Sequence, residues 1–188
     1  MYQVNKWKVS TTPSSEPITL SEAKLYLRVD TTADDALITA LITAARETVE
    51  RYTSRALVTQ TITQVLDCFP GFGFRLAVHP VQSITSITYK DSNGSDQTLA
   101  SSIYMLDNYE MPNAVVLKAN QQFPSTYDET NAVTVVYVAG EAAGNVPKAI
   151  LQAMYLTIAD FYENRTDYVK RLPTAAEYLL DQFRVFIF

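Results

Sequence analysis

The sequence has few of the residues on which catalysis, metal binding and disulfide bonds usually depend. Its 188 residues include one cysteine, one histidine and five glycines. One cysteine excludes an intrachain disulfide, and so few glycines exclude collagen-like and low-complexity chains. A metal site would depend on carboxylates, and the adjacent pair Asp34–Asp35 is explained as the start of a helix. We therefore expect no catalytic residues, no metal and no cofactor.

The two residues best suited to catalysis have no suitable neighbours in the sequence. His79 lies beside Pro80 in a strand-like segment without a glycine-rich turn, which indicates a surface or half-buried strand residue. Cys68 precedes it by eleven positions across a break, so a small buried apolar residue is the better interpretation.

Basic clusters and long apolar runs are also missing. The formal net charge is −5, and binding to a nucleic acid backbone requires a basic patch. The acidic residues are uneven, because seven of them lie between Asp91 and Glu141, where Lys118 is the one base. The most apolar stretch, residues 149–162, is interrupted by Gln152 and Asp160, so we expect no membrane span.

Helical periodicity is present on both sides of a strand-rich middle. Thr19 and Glu22 have the spacing of a capping box, which predicts a short helix to about residue 28. The clearest helix follows Asp34–Asp35, and another follows Pro147. The apolar residues predicted to form the core of these two helices are Leu37, Leu41, Ile42, Ala45, Val49, Leu151, Tyr155 and Ile158.

The middle of the chain has the alternation and turn residues of about six short strands. A β-branched run covers residues 56–66, and Asn93–Gly94 between two apolar runs predicts a hairpin. The pattern predicts an α+β fold, in which the N-terminal helix pair and the C-terminal helices form a small bundle with an inserted, mostly antiparallel β subdomain. The predicted parts are an extended arm (1–17), the helix pair (18–55), the β subdomain (56–141), a core helix (146–165), and a linker with a docking helix (166–188).

The C-terminal segment is more apolar than an exposed chain end usually is. Thr174 and Glu177 again have capping-box spacing, and five of the last six residues are apolar. Burying one phenylalanine stabilises by ~1.5–3 kcal/mol, so the segment either packs on its own core or docks on a partner. We favour docking, because a linker precedes the helix. The predicted docking residues are Leu179, Leu180, Phe183, Val185, Phe186, Ile187 and Phe188.

An ordered series of segments covers about residues 18–165. Its members are Ile18–Asp30, Asp34–Ile38, Ala44–Leu57, Pro80–Ile84, Ile87–Tyr89, Val133–Gly140, Val146–Ile150 and Tyr162–Arg165. In this order the series resembles the head–tail connector (adaptor) proteins of long-tailed bacteriophages. Each segment alone is ordinary helix or strand sequence, and the order carries the resemblance.

The resemblance implies a structural virion protein and not an enzyme. Copies would form a ring of about twelve beneath the portal protein and seat a head-completion, stopper or tail protein. DNA would pass through without sequence-specific binding, and an acidic wall would repel its phosphates. The implied location is the head–tail interface of the virion, and the host cytoplasm during assembly. The candidate channel-facing acids are Asp91, Asp96, Asp107, Glu110, Asp128 and Glu129.

Two other functions remain open at this stage. One is another neck or tail-completion component, such as a stopper, although those proteins tend to be mostly β and to lack a paired-helix start. The other is a small cytosolic enzyme or binding module, which would need a convergent set of titratable groups that this sequence does not offer.

Overall fold

The computed structural model describes residues 6–109, 111–164 and 172–186. Within these ranges the chain has four α-helices and eight strands in two antiparallel sheets, so the α+β prediction is confirmed. The chain divides into two compact units. The β unit comprises residues up to Thr12, Thr59–Gly140 and Val185 onward, and the helical unit comprises Pro13–Val58 and Glu141–Arg184.

The helices and strands follow one another in a helix–sheet–helix order, preceded by one strand. The strands are β1 Lys6–Thr11, β2 Gln60–Leu66, β3 Gly73–Arg75, β4 Val81–Lys90, β5 Asp96–Thr98, β6 Tyr104–Asp107, β7 Ala114–Leu117 and β8 Val133–Ala139. The helices are α1 Leu20–Leu27, α2 Asp35–Thr53, α3 Lys148–Glu163 and α4 Thr174–Asp181, and a short 3₁₀ turn, Ala143–Asn145, precedes α3.

The starts of the first two helices agree with their sequence signals. Thr19 and Glu22 form the predicted capping box, in which each side chain accepts the other residue's backbone N–H. The helix α2 begins after Asp34, whose carboxylate accepts a 2.6 Å hydrogen bond from the Tyr162 hydroxyl. Asp35, in the first turn, pairs with Lys24 at 2.6 Å. Asp34–Asp35 therefore does start a helix.

The core of the helical unit lies on a face of α2 that includes the predicted Ile42, Ala45 and Val49 but not Leu37. Ile38, Ile42, Ala45 and Val49 are completely or almost completely buried. Leu37 is 38% exposed, so its placement in the core is wrong, and Leu41 is half-buried. Each precedes a buried isoleucine by one residue and is therefore turned about 100° away from it.

The other half of this core comes from α3 and α4. Ile158 is buried, and Leu151 and Tyr155 pack on the core while remaining half-buried. Met154 of the same apolar stripe is also fully buried, and Ile150 and Ala153 add fully buried side chains that sequence periodicity had not singled out. None of the helices in the described ranges has the length and the apolar character that crossing a membrane requires.

The β unit contains a five-stranded sheet, in the order β1-β2-β8-β4-β5, and a three-stranded sheet, in the order β3-β7-β6. In β2 and β8 every second residue is buried, as in Val133, Val135 and Tyr137 of β8. The predicted hairpin is present as β4–β5, and Gly94 has the positive φ of 80° that its turn requires. Its second strand is Asp96–Thr98, ahead of the apolar run expected to form it.

The strand β1 lies within the predicted N-terminal arm and pairs antiparallel with β2. Nearly all of its residues are exposed, although Lys6–Val9 alternate between polar and apolar side chains. Little burial supports β1, so pairing with β2 holds it in place.

Two predictions for single residues in the β unit are wrong. His79 is completely buried, and its Nδ1 accepts a 3.1 Å hydrogen bond from the backbone N–H of Asn113. Asn113 Oδ1 in turn accepts the N–H of Val81 at 2.9 Å. The two side chains therefore satisfy the backbone N–H groups of Asn113 and Val81. Cys68 is exposed, because it follows the end of β2, where the alternation stops.

Candidate functional site: surfaces of the two units

The described ranges contain no group of three or more His, Cys, Asp or Glu side chains that could hold a metal ion. His79 is occupied with backbone in the β unit, and Tyr137 has the same role there. The hydroxyl of Tyr137 accepts the N–H of Val78 at 3.0 Å, and burial raises the pKa of its phenol. The candidate functional residues are therefore sought on the surface.

Four of the six candidate channel acids come together at one end of the five-stranded sheet, which we call the hairpin end. It consists of the β4–β5 turn and the loop 126–131, which Tyr127 N–H joins to Lys90 C=O at 2.9 Å. Asp91 accepts the N–H groups of Asn93 and Ser95 at 2.9 and 3.1 Å. The acids at this end are Asp91, Asp96, Asp128 and Glu129.

Hydrogen bonds at the hairpin end shift the pKa values of Asp91 and Lys90. Bonds from the backbone of Ser95 and Asn93 hold the pKa of Asp91 below its usual value. Lys90 pairs with Glu129 at 2.8 Å, and the hydrogen bond to that carboxylate raises the pKa of Lys90. Asp91 is therefore a turn-forming carboxylate, and the ion pair of Lys90 leaves most of the acidic charge at this end uncompensated.

A further acid, which sequence reasoning missed, lies at the same end. Asp67 accepts the N–H of Asn131 at 2.9 Å and pairs with Lys6 at 3.1 Å. Backbone donation from Asn131 lowers the pKa of Asp67. Asp67 reaches this end through the pairing of β2 with β8, which is not visible in the sequence. The pairing brings Leu66 opposite Val133 and so puts the end of β2 beside the 126–131 loop.

Asp107 lies at the opposite end of the β unit. It pairs in register with Ala114, next to Asn113, whose side chain binds Val81 at the start of β4. The hairpin end follows Lys90 at the other end of that ten-residue strand, a distance of about 30 Å along β4 at ~3.3 Å per residue. The acidic stretch of the sequence is therefore not one surface, and Glu110 lies outside the described residues.

Most of the predicted docking residues are part of this chain's own packing. Leu180 is completely buried in the core of the helical unit, Leu179 and Phe183 pack against that core, and Val185 is buried. Phe186 is 54% exposed, and Ile187 and Phe188 lie outside the described residues.

The helix α4 is also held by polar contacts at its C-terminal end. The hydroxyl of Tyr52, at the end of α2, donates a 2.6 Å hydrogen bond to Asp181, and Arg184 lies 4.8 Å over the Tyr52 ring. The bond to Asp181 raises the pKa of Tyr52. The predicted capping box at Thr174 is wrong, because the helix starts after Pro173 and has no side-chain cap.

A buried ion-pair network fixes the middle of α2, and sequence reasoning missed it. Arg46 binds Glu16 at 2.8 Å and Glu50 at 2.7 Å, with 6% of its side chain exposed. Glu50 also accepts the N–H of Leu57 at 2.8 Å, and burial raises the pKa of its carboxyl. Segments before and after α2 are thereby joined to it. The i,i+4 spacing of Arg46 and Glu50 was the available signal.

The exposed apolar side chains are spread over both units. On the β unit Trp7 lies on the edge strand β1, and Phe72 and Tyr109 lie in turns at opposite ends of the three-stranded sheet. On the helical unit Leu25 of α1 and Tyr178 of α4 are exposed. These positions are candidates for contacts with other chains.

Solved structures with the same fold come from the necks of phage-like particles. A chain in the neck of an empty gene transfer agent particle, computed with C6 symmetry, has a TM-score of 0.82 at 21% identity over 97% of both chains. A chain of the native gene transfer agent virion has a TM-score of 0.79 at 23% identity, over 97% of this chain and 96% of that chain. A chain of the native neck with C12 symmetry has a TM-score of 0.74 at 21% identity over 97% of both.

The sequence matches the family model of phage gp6-like head–tail connector proteins over residues 17–122, more than half of the chain. No curated protein has significant sequence similarity to it. The matched range contains α1, α2 and the strands β2–β7. The chain therefore belongs to the phage gp6-like head–tail connector family and is a structural connector of head and tail.

Proposed function

We propose that this protein forms a ring of about twelve copies between the portal protein and the next neck, stopper or tail protein. The observation that carries the proposal is the family match over residues 17–122, supported by a fold shared with neck chains of C6 and C12 particles over 97% of this chain. Copies act in the virion, after they are made in the host cytoplasm. The role is structural, without a catalytic step.

Electron microscopy of the particle neck, reconstructed without imposed symmetry, tests the ring. We expect about twelve copies in contact with the portal protein. A single copy, or none, contradicts the proposal. A ring that is separated from the portal by another protein assigns the chain to a stopper position instead.

We further propose that the 126–131 loop of the hairpin end, with its exposed acids Asp128 and Glu129, faces the DNA channel. Asp91, Asp96, Asp128 and Glu129 give this end of the β unit a negative charge that Lys90 only partly offsets. A negative wall repels phosphate, so a duplex slides past it without being held. Asp107 is excluded from this wall, since it lies at the other end of β4.

A pair of matched charge reversals tests the wall. Asp128→Lys changes an exposed acid of the hairpin end, and Asp107→Lys makes the same change about 30 Å away along β4. We expect slower DNA ejection from particles with Asp128→Lys and normal ejection with Asp107→Lys. Equal ejection rates in both variants and the wild type contradict a wall at the hairpin end.

For the C-terminal segment we propose that docking on the portal or a neighbouring copy begins at Phe186. The predicted docking residues that precede Phe186 are buried or pack against the helical core, whereas about half of Phe186 is exposed. Removing residues 186–188 should leave a folded protein whose heads fail to join tails. Normal joining by this variant contradicts the proposal, and circular dichroism checks that the variant is folded.

A further inference from the structure

The five-stranded sheet ends in two edge strands on opposite sides. Within the described residues β1 pairs with β2 only, and β5 pairs with β4 only. Each edge therefore presents backbone N–H and C=O groups that no other strand of the described ranges takes up. Four strand spacings of ~4.8 Å separate the two edges by about 19 Å.

The β1 edge exposes the only tryptophan of the sequence. Trp7 lies opposite Gln64, and Val9 lies opposite Ile62, so both belong to the face on which the sheet buries its core. Even so, 48% of Trp7 is exposed. Edge strands are normally protected by polar residues, and tryptophan is enriched at the centres of protein contacts. An exposed tryptophan at this edge indicates a contact with another chain.

The two edges also differ in charge on the other face of the sheet. Lys6 and Lys8 lie on that face of β1, and Lys8 makes no ion pair within the described residues. Asp96 on β5 is opposite Lys90. The register through β2, β8 and β4 puts Asp96 on the same face as Lys8. One edge is therefore basic, and the other ends in the acidic hairpin of Asp91 and Asp96.

We propose that β1 of one copy contacts the β4–β5 hairpin edge of the next copy, with Trp7 at the centre and Lys8 facing Asp91 and Asp96. This inference rests on the proposed ring and names the surface that closes it. Because the two surfaces differ, the contact is head-to-tail, the type that generates rings. A two-fold contact between two β1 edges would bring lysines opposite lysines and is unfavourable.

The orientation agrees with the proposed channel wall. If the edges meet neighbouring copies, the two ends of the strands lie off the line from copy to copy, and the hairpin end is one of them. Asp128 and Glu129 in the 126–131 loop then remain away from the β1 edge of the neighbour. Asp96, on β5 itself, belongs to the contact between copies.

A charge swap tests the contact. Lys8→Glu or Asp96→Lys alone brings like charges together at every contact of the ring, and we expect about a tenfold loss of tailed particles for each. Lys8→Glu combined with Asp96→Lys restores opposite charges and should restore assembly. Asp107→Lys is the matched control, because it makes the same change at the other end of β4, outside both the edge and the channel wall, and should join heads to tails normally.

Trp7 supplies a second, independent measurement. Trp7→Ala should remain folded, as circular dichroism can check, because about half of the side chain is exposed, and it should lose assembly as the single charge variants do. In a neck reconstruction at side-chain resolution Trp7 should be covered by the next copy. A ring in which Trp7 is in solvent and the single charge variants assemble normally overturns this contact but leaves the ring itself standing. Absence of a ring overturns the proposed function as well.

Discussion

The hydroxyl of Tyr52 and the carboxylate of Asp181 are 129 residues apart in sequence and 2.6 Å apart in the helical unit. The bond joins the end of α2 to the end of α4, beside the buried Leu180. A helix that swings away to dock would have to break this bond and expose Leu180. The helix α4 is therefore built as part of the subunit.

This packing predicts a large effect of truncating Leu180. Leu180→Ala removes a completely buried side chain and should lower the free energy of unfolding by ~2–5 kcal/mol. Tyr178→Ala, two positions away on a side chain that is 81% exposed, is the control and should cost under ~0.5 kcal/mol. Urea unfolding measures both. Equal, small effects would show that α4 is detachable after all.

A second pair of variants tests the face of α2. Ile42→Ala should cost ~2–5 kcal/mol, because it leaves a cavity among buried neighbours. Leu37→Ala should cost much less, since Leu37 is on the exposed side. If the order of the two effects in urea unfolding were reversed, the face of α2 described above would be wrong.

The buried ion pair of Arg46 and Glu50 predicts that Arg46→Ala loses stability in a pH-dependent way. Arg46→Ala leaves the buried Glu50 without its cation and should cost ~3–5 kcal/mol at neutral pH. Burial already raises the pKa of Glu50 above its ordinary value of 4.5, and the variant raises it further. A raised pKa gives stability that is present below the ordinary value and is lost as pH rises through the folded value. The loss in the variant should therefore be small near the ordinary pKa of Glu50 and grow toward neutral pH.

Two measurements check this prediction for Arg46. Urea unfolding of wild type and variant across this pH range gives the pH dependence of the loss. Glu47→Ala is the control, because Glu47 is exposed and its 3.7 Å ion pair with Arg46 is longer than those of Glu16 and Glu50. A loss that does not depend on pH would contradict the role of the buried carboxylate.

The hydrogen bonds of Asp91 predict that the stability of the β4–β5 turn decreases in acid. Backbone hydrogen bonds hold its pKa below the ordinary 3.8, so its contribution to stability is present above that value and lost as pH falls through the folded pKa. NMR titration should find the lowered pKa. In Asp91→Ala the amides of Asn93 and Ser95 should exchange faster with solvent, whereas Asp96→Ala should leave them unchanged. Unchanged exchange in both variants would remove Asp91 from the turn.

Local signals in the sequence predicted much of the fold. The Thr19 capping box and the hairpin turn at Asn93–Gly94 are present as predicted, because capping and turn residues act over a few neighbouring residues. The strand β1 was predicted only as part of an extended arm, since its partner β2 lies at least fifty residues away in the sequence. The buried His79 was missed for the same reason, because its partner Asn113 is 34 residues away.

The surfaces were harder to predict than the elements. The sequence groups Asp91 and Asp107 into one acidic stretch, but the antiparallel path of the chain puts them at opposite ends of the β unit. The apolar stripe of α4 was predicted correctly. It was assigned to a partner, whereas the helical core of this chain covers most of it. Sequence periodicity shows which face of a helix is apolar, and it does not show which chain covers that face.

Both units are assembled from separate stretches of the sequence. During synthesis α2 is complete almost a hundred residues before α3 begins. At the usual rates of translation its apolar face waits roughly 5–20 s for the helix that covers it. The main stretch of the β unit, Thr59–Gly140, is synthesised within that interval, although β1 is made first and has to wait for β2. No single cut of the chain separates the two units, because the stretches of one alternate along the sequence with the stretches of the other.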